Sequence, residues 1–65
     1  MTNLKRLRTD KGFSQAELSE HSGVNVRLIQ DYEQNHKPIN NAKAISVYRL
    51  AQVLNCNVEN LLELE

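Results

Sequence analysis

Two helix-start signals lie between Ser14 and Glu33 with a single glycine between them, and no other feature narrows the fold of this chain as much. Ser14 is a favourable N-cap, and Glu17 at the third helical position completes a capping box, so a helix is expected to begin there. Leu18 is its apolar anchor. Ser19 is small enough for a following helix to cross close by, and Gly23 accepts the positive φ that a tight chain reversal needs. Asn25 then caps a second helix whose inward face is Ile29, Tyr32 and Glu33, at i, i+3 and i+4.

The remaining segments supply packing partners for this pair. A first helix is expected over about residues 3 to 11, burying Leu4 and Leu7, with Gly12 ending it and Phe13 filling the gap to the next helix. Val47, Leu50, Ala51 and Leu54 fall at i, i+3, i+4 and i+7, the core stripe of a helix over about residues 41 to 54. A short last helix over about residues 58 to 64 places Val58, Leu61 and Leu62 on one side; its acidic end opposes the helix dipole, so it should fray or dock on something. The expected fold is therefore all-α: a compact five-helix domain spanning residues 1 to 65, with a helix-turn-helix formed by helices 2 and 3. A chain of 65 residues buries only about 60% of its unfolded surface, which excludes a multi-domain enzyme and favours a partner subunit.

Several segments carry a family likeness: Leu-Lys-Arg-Leu-Arg at residues 4 to 8, Lys-Gly-Phe-Ser-Gln at 11 to 15, the run from Ile29 to Glu33, Leu-Ala-Gln-Val-Leu at 50 to 54, and Leu61-Leu62. Together they resemble the DNA-binding domains of phage repressors and their Cro-like relatives, the lambda-repressor-like helix-turn-helix regulators of xenobiotic-response-element type. Three departures stand out. Ser19 replaces the alanine usual at the helix crossing, Asn35 stands where the family usually has glycine, and residues 36 to 46 form a longer connection. Asparagine is the next-best residue for a left-handed helix end, so Asn35 preserves the stop.

The resemblance implies a sequence-specific DNA-binding transcriptional regulator, a repressor, acting as a two-fold dimer on double-stranded DNA. Its recognition helix would span about residues 25 to 34 and lie in the major groove. Counting about 100° per residue from Ile29 puts Arg27 and Asp31 near 160°, Gln34 near 140° and Gln30 near 100°, which makes an outward stripe. By the resemblance, Val26, Arg27, Leu28 and Asp31 approach base edges, and Gln30 joins them from the stripe. Arg27 is suited to guanine and Val26 to a thymine methyl. Asp31 needs a cytosine amine or a neighbouring cation to face phosphates at all. Gln15, at a helix N-terminus, matches a glutamine that clamps the DNA backbone in the family. Asn25, Gln34, Asn35, His36, Lys37 and Lys43, with Asn40 and Asn41, are the further backbone candidates. Arg8 and Glu33 match a pair that links the first and third helices, with a spare Arg8 donor as a secondary phosphate contact.

Charge tempers this picture. Eight basic and eight acidic side chains cancel, whereas phosphate contacts by Lys and Arg normally supply most non-specific affinity. The charges are uneven, with Lys5, Arg6, Arg8 and Lys11 near one end and Glu59, Glu63 and Glu65 near the other. A rival reading is a protein-interaction module of the same fold that docks through Leu61, Leu62 and Leu64; an antitoxin-like regulator or one from a mobile element is also compatible. The homodimer is expected to form through the last helix.

No catalytic residue, metal or cofactor is expected. His21 and Ser22 are neighbours without an orienting carboxylate. His21, His36 and Cys56 lack the paired spacing of a zinc site. Gly12 and Gly23 do not make a phosphate-cradling loop, and no small-molecule site is evident. Cys56 alone cannot form an internal disulfide and reads as a small buried residue. With no span of about 20 apolar residues and no signal layout, the chain is expected in the cytoplasm.

Overall fold

Three helices begin on a side chain that accepts a free backbone N–H. Thr2 Oγ1 accepts from Lys5 at 3.2 Å and starts α1, Asn3–Asp10. Ser14 Oγ accepts from the Glu17 N–H at 3.0 Å while the Glu17 carboxylate accepts from the Ser14 N–H at 2.9 Å, the expected capping box of α2, Gln15–Ser22. Asn25 Oδ1 accepts from Arg27 at 2.7 Å and starts α3, Val26–Glu33. Helices α4, Ala44–Leu54, and α5, Val58–Leu61, complete the five among the described residues, which are residues 1–64 of a computed structural model.

The ends of α1 to α4 share one feature. Gly12, Gly23, Asn35 and Asn55 all have positive φ, between 54° and 78°. After α3, the Asn35 N–H donates to the Tyr32 carbonyl at 3.3 Å and the His36 N–H to the Asp31 carbonyl at 2.8 Å, the paired bonds of a Schellman stop. The same pairing ends α1 (Gly12 to Thr9, Phe13 to Arg8) and α4 (Asn55 to Gln52, Cys56 to Ala51). Gly23 makes the simpler single bond, to the Ser19 carbonyl at 2.8 Å, and so reverses the chain between α2 and α3.

The core draws one layer from every helix: Leu4, Leu18, Ile29 with Tyr32, the α4 stripe Val47, Leu50, Ala51 and Leu54, and Leu61. Val24 and Ile39 join it from connections, and Phe13 packs against it half-buried. Fully burying a leucine or isoleucine contributes about 1.5–3 kcal/mol, so these positions fix how the helices meet. α2 packs on α3 and α4, while α1 packs on α3 and α5. The fold is thus all-α, with α2 and α3 as the helix-turn-helix.

Two boundaries differ from the sequence reading. α4 starts at Ala44, not near 41, because Ile39–Asn41 forms a separate 3-10 turn that buries Ile39. α5 stops at Leu61 because Leu62 turns extended, and the chain after it is fastened to other elements. Asn3 Nδ2 donates to the Leu62 carbonyl at 2.9 Å, the Asn3 N–H donates to Glu63 Oε2 at 2.7 Å, and Asn40 exchanges two bonds with the Glu63 backbone. Glu63 therefore lies at the positive N-terminus of α1, where a carboxylate is favoured, instead of opposing the dipole of α5. Glu65 lies outside the described residues. No helix among the described residues is long and apolar enough to cross a membrane.

Candidate nucleic-acid interface

The scaffold beneath α3 is a buried ion pair. Arg8 Nε donates to Glu33 Oε2 at 2.7 Å and Nη2 to Oε1 at 3.0 Å, a bidentate link between α1 and α3. These hydrogen bonds to Glu33 hold the guanidinium above its ordinary pKa, against the opposing effect of burial. The third guanidinium nitrogen of Arg8, Nη1, donates to the Phe13 carbonyl at 2.8 Å, so each of its nitrogens has a partner inside the protein. Among the described residues every buried side-chain nitrogen and oxygen has a partner.

Gln15 belongs to the same network. Its Nε2 donates to Glu33 Oε1 at 3.0 Å, and the side chain is half-buried at the start of α2. The side chain is thereby tethered to α3 through Glu33. Nε2 carries two hydrogens, and the second is available to a ligand at that helix end.

Around α3 the expected residues separate into three groups. Ile29, Tyr32 and Glu33 are buried, as the periodicity requires. Val26 and Arg27 are exposed at the N-terminus, and Gln30 is half-exposed beside them. Leu28 is half-buried and packs against the core cluster. Asn25, Gln34, Asn35, His36, Lys37, Asn41 and Lys43 are all exposed, with Asn25 using its side-chain oxygen on the cap. Asn40 is exposed too, but both its side-chain polar atoms are engaged by Glu63.

Asp31 has the Arg27 neighbour that the helical wheel places beside it and two more, His36 and Lys37, that the wheel does not show. Its side chain keeps only 14% of its exposure and faces Arg27 Nε at 3.9 Å, His36 Nδ1 at 3.6 Å and Lys37 Nζ at 3.9 Å. The left-handed Asn35 folds residues 36 and 37 back over the last turn of α3; that backbone signal was the clue in the sequence. Two further contacts were also missed. Ser19 Oγ donates to the Val24 carbonyl at 2.6 Å and ties α2 to the turn. The Arg49 guanidinium on α4 lies over Gly23, with Nη1 3.7 Å from where a Cβ would sit.

The leucine strip of the interaction-module reading does not exist as a surface. Leu61 is fully buried and Leu62 half-buried, which leaves Leu64 alone exposed. On the last helix itself, Val58 remains exposed. Among the described residues, no group of three His, Cys, Asp or Glu is placed to hold a metal ion. Cys56 is half-buried in the turn before α5, and burial raises its thiol pKa.

A sequence model of the helix-turn-helix family, of Cro/C1 type, matches residues 4–61. No curated protein matches the chain. The match spans most of the sequence and both helices of the motif, so the chain belongs to this family, whose members are DNA-binding regulators of transcription.

Proposed function

We propose that this helix-turn-helix protein is a sequence-specific repressor that inserts α3 into the major groove of double-stranded DNA and binds as a two-fold dimer. The observation that carries the reading is the division of α3, which buries Ile29, Tyr32 and Glu33 and presents Val26, Arg27 and Gln30 beside them to solvent. Arg27 reads guanine O6 and N7 bidentately, worth about 1–3 kcal/mol of discrimination, and Val26 packs on a thymine methyl. Gln15, Asn25, Gln34, Asn35, His36, Lys37 and Lys43 contact phosphates and set the register without reading sequence. Repression follows from occupancy: a domain seated in the groove excludes other proteins from the same DNA.

Two-fold pairing places the half-sites about 34 Å apart, or a multiple of that. Ile45 and Tyr48, one turn apart on α4 and each 52% exposed, supply the apolar surface for a second copy in place of the leucine strip. Selection of bound duplexes from random DNA tests the whole reading. It is expected to return a pseudo-palindrome with guanine at a fixed place in each half. Arg27→Ala and Gln15→Ala should weaken binding while circular dichroism shows the fold retained. Absence of any DNA affinity at low salt would overturn the proposal.

A further inference from the structure

The outward stripe of α3 carries one carboxylate, Asp31, and charge counting alone treats it as a defect in a surface that meets phosphates. Its surroundings argue otherwise. Its side chain is 14% exposed whereas that of Arg27 is 81% exposed, so the cation projects into solvent and the carboxylate stays shielded next to it. Oδ1 faces both Arg27 Nε and His36 Nδ1, and Oδ2 faces Lys37 Nζ, at 3.6–3.9 Å. All three are too long for hydrogen bonds; Arg27 and Lys37 act through charge, and a shielded carboxylate attracts such neighbours more strongly than a solvated one. The same residue also sets the backbone path. Its carbonyl accepts the His36 N–H at 2.8 Å and the Lys37 N–H at 3.2 Å, which folds both residues back towards Arg27.

We propose that Asp31 is a positioning residue for recognition: it holds Arg27 in its reading orientation and keeps His36 and Lys37 in register with it. The inference rests on the reading of α3 as a groove-binding helix. A long cationic side chain already oriented loses less freedom on binding, so the benefit falls on the correct sequence, where the geometry of Arg27 matters. Against unspecific DNA, where only charge counts, Asp31 is a net cost.

Asp31→Asn keeps the shape and removes the charge. Binding is measured by fluorescence anisotropy on the duplex selected by the wild type and on a scrambled duplex of equal length. The scrambled duplex should be bound more tightly and the ratio of the two affinities should fall about tenfold, the size of one lost bidentate base contact. In an Arg27→Ala background the same change should leave the ratio unaltered, because the effect passes through Arg27. Asp31→Ala serves where the amide disturbs folding and should give the same loss. Equal tightening on both duplexes, or an undiminished loss without Arg27, would overturn the proposal. If the wild type binds no duplex, the groove reading fails by itself, and NMR relaxation of the Arg27 Nε–H in the free protein decides the positioning. Its order should drop in Asp31→Asn, and unchanged order would refute the role.

Discussion

The side chain on which the arrangement of α3 depends most is Arg8. It has three partners, two oxygens of Glu33 and the carbonyl of Phe13, and Glu33 in turn holds Gln15. Truncating Arg8 leaves the Glu33 carboxylate buried without a counter-charge, which costs about 3–5 kcal/mol. A chain of 65 residues has roughly 3–10 kcal/mol in total, so Arg8→Ala should be largely unfolded or close to it in urea titrations at 25 °C. The double variant Arg8→Met, Glu33→Leu should recover more than half of that loss, since it removes both charges together. Recovery of nothing would mean that the bond to Phe13, and not the ion pair, carries the stability. The pairing was legible because the inward phase of Glu33 and the family likeness coincide. The Gln15 link was not, since it joins residues 15 and 33 across the motif and leaves no trace in local spacing.

At the scale of elements, what the sequence revealed depended on how far away the deciding partner sat. The capping box at Ser14, the reversal at Gly23 and the stop at Asn35 are set within a few residues, and each was readable. The start of α4 was not. The apolar stripe sets no start point, Asn40 is engaged by Glu63, and the residue that precedes α4 is Lys43, which makes no side-chain cap. The end of α5 was misplaced for the same reason, because Asn3 and Asn40 fix the chain at Leu62 and Glu63. Two predictions belong here. Asn35 has φ 59°, so Asn35→Ala should cost about 1–2 kcal/mol in thermal or urea unfolding while Asn35→Gly is tolerated. Glu17 is held below the ordinary glutamate pKa of 4.5, first by the Ser14 N–H and then by the Ser14 hydroxyl. The folded state thus favours the ionised form, and this stabilisation is present above the unfolded pKa and lost as pH falls through the folded one. The stability gap between wild type and Glu17→Gln should be full at pH 7 and shrink steadily below about pH 4.5. A gap that widens on acidification would contradict the capping box.

For the whole molecule the question is how a chain of zero net charge holds DNA. Net charge says less than the placement of the acids, four of which bear on the question. Glu33 is neutralised inside by Arg8, Asp31 is faced by the cations of Arg27 and Lys37 and by the His36 ring, and Glu63 sits on the N-terminus of α1. Glu59 lies on α5, which packs chiefly on α1 and α4. The longest extent of the molecule is 27 Å, while the screening length is about 8 Å at physiological salt and about 30 Å at 0.01 M. At physiological salt the DNA therefore feels only the local cations around α3, and distant acids are screened. At very low salt the whole molecule acts at once and its acids oppose the approach. The plot of log K against log salt should accordingly be linear and negative near 0.15 M and flatten towards 0.01 M. Lys37→Ala and Lys43→Ala should each reduce the steep part by about 0.9 per protomer, equally on selected and scrambled duplexes, as loss of one phosphate contact requires. Glu59→Gln should raise affinity at 0.01 M and leave it unchanged at 0.15 M. A Glu59→Gln effect of equal size at both salts would place that carboxylate beside the DNA and overturn the assignment of α3 as the side that faces the groove.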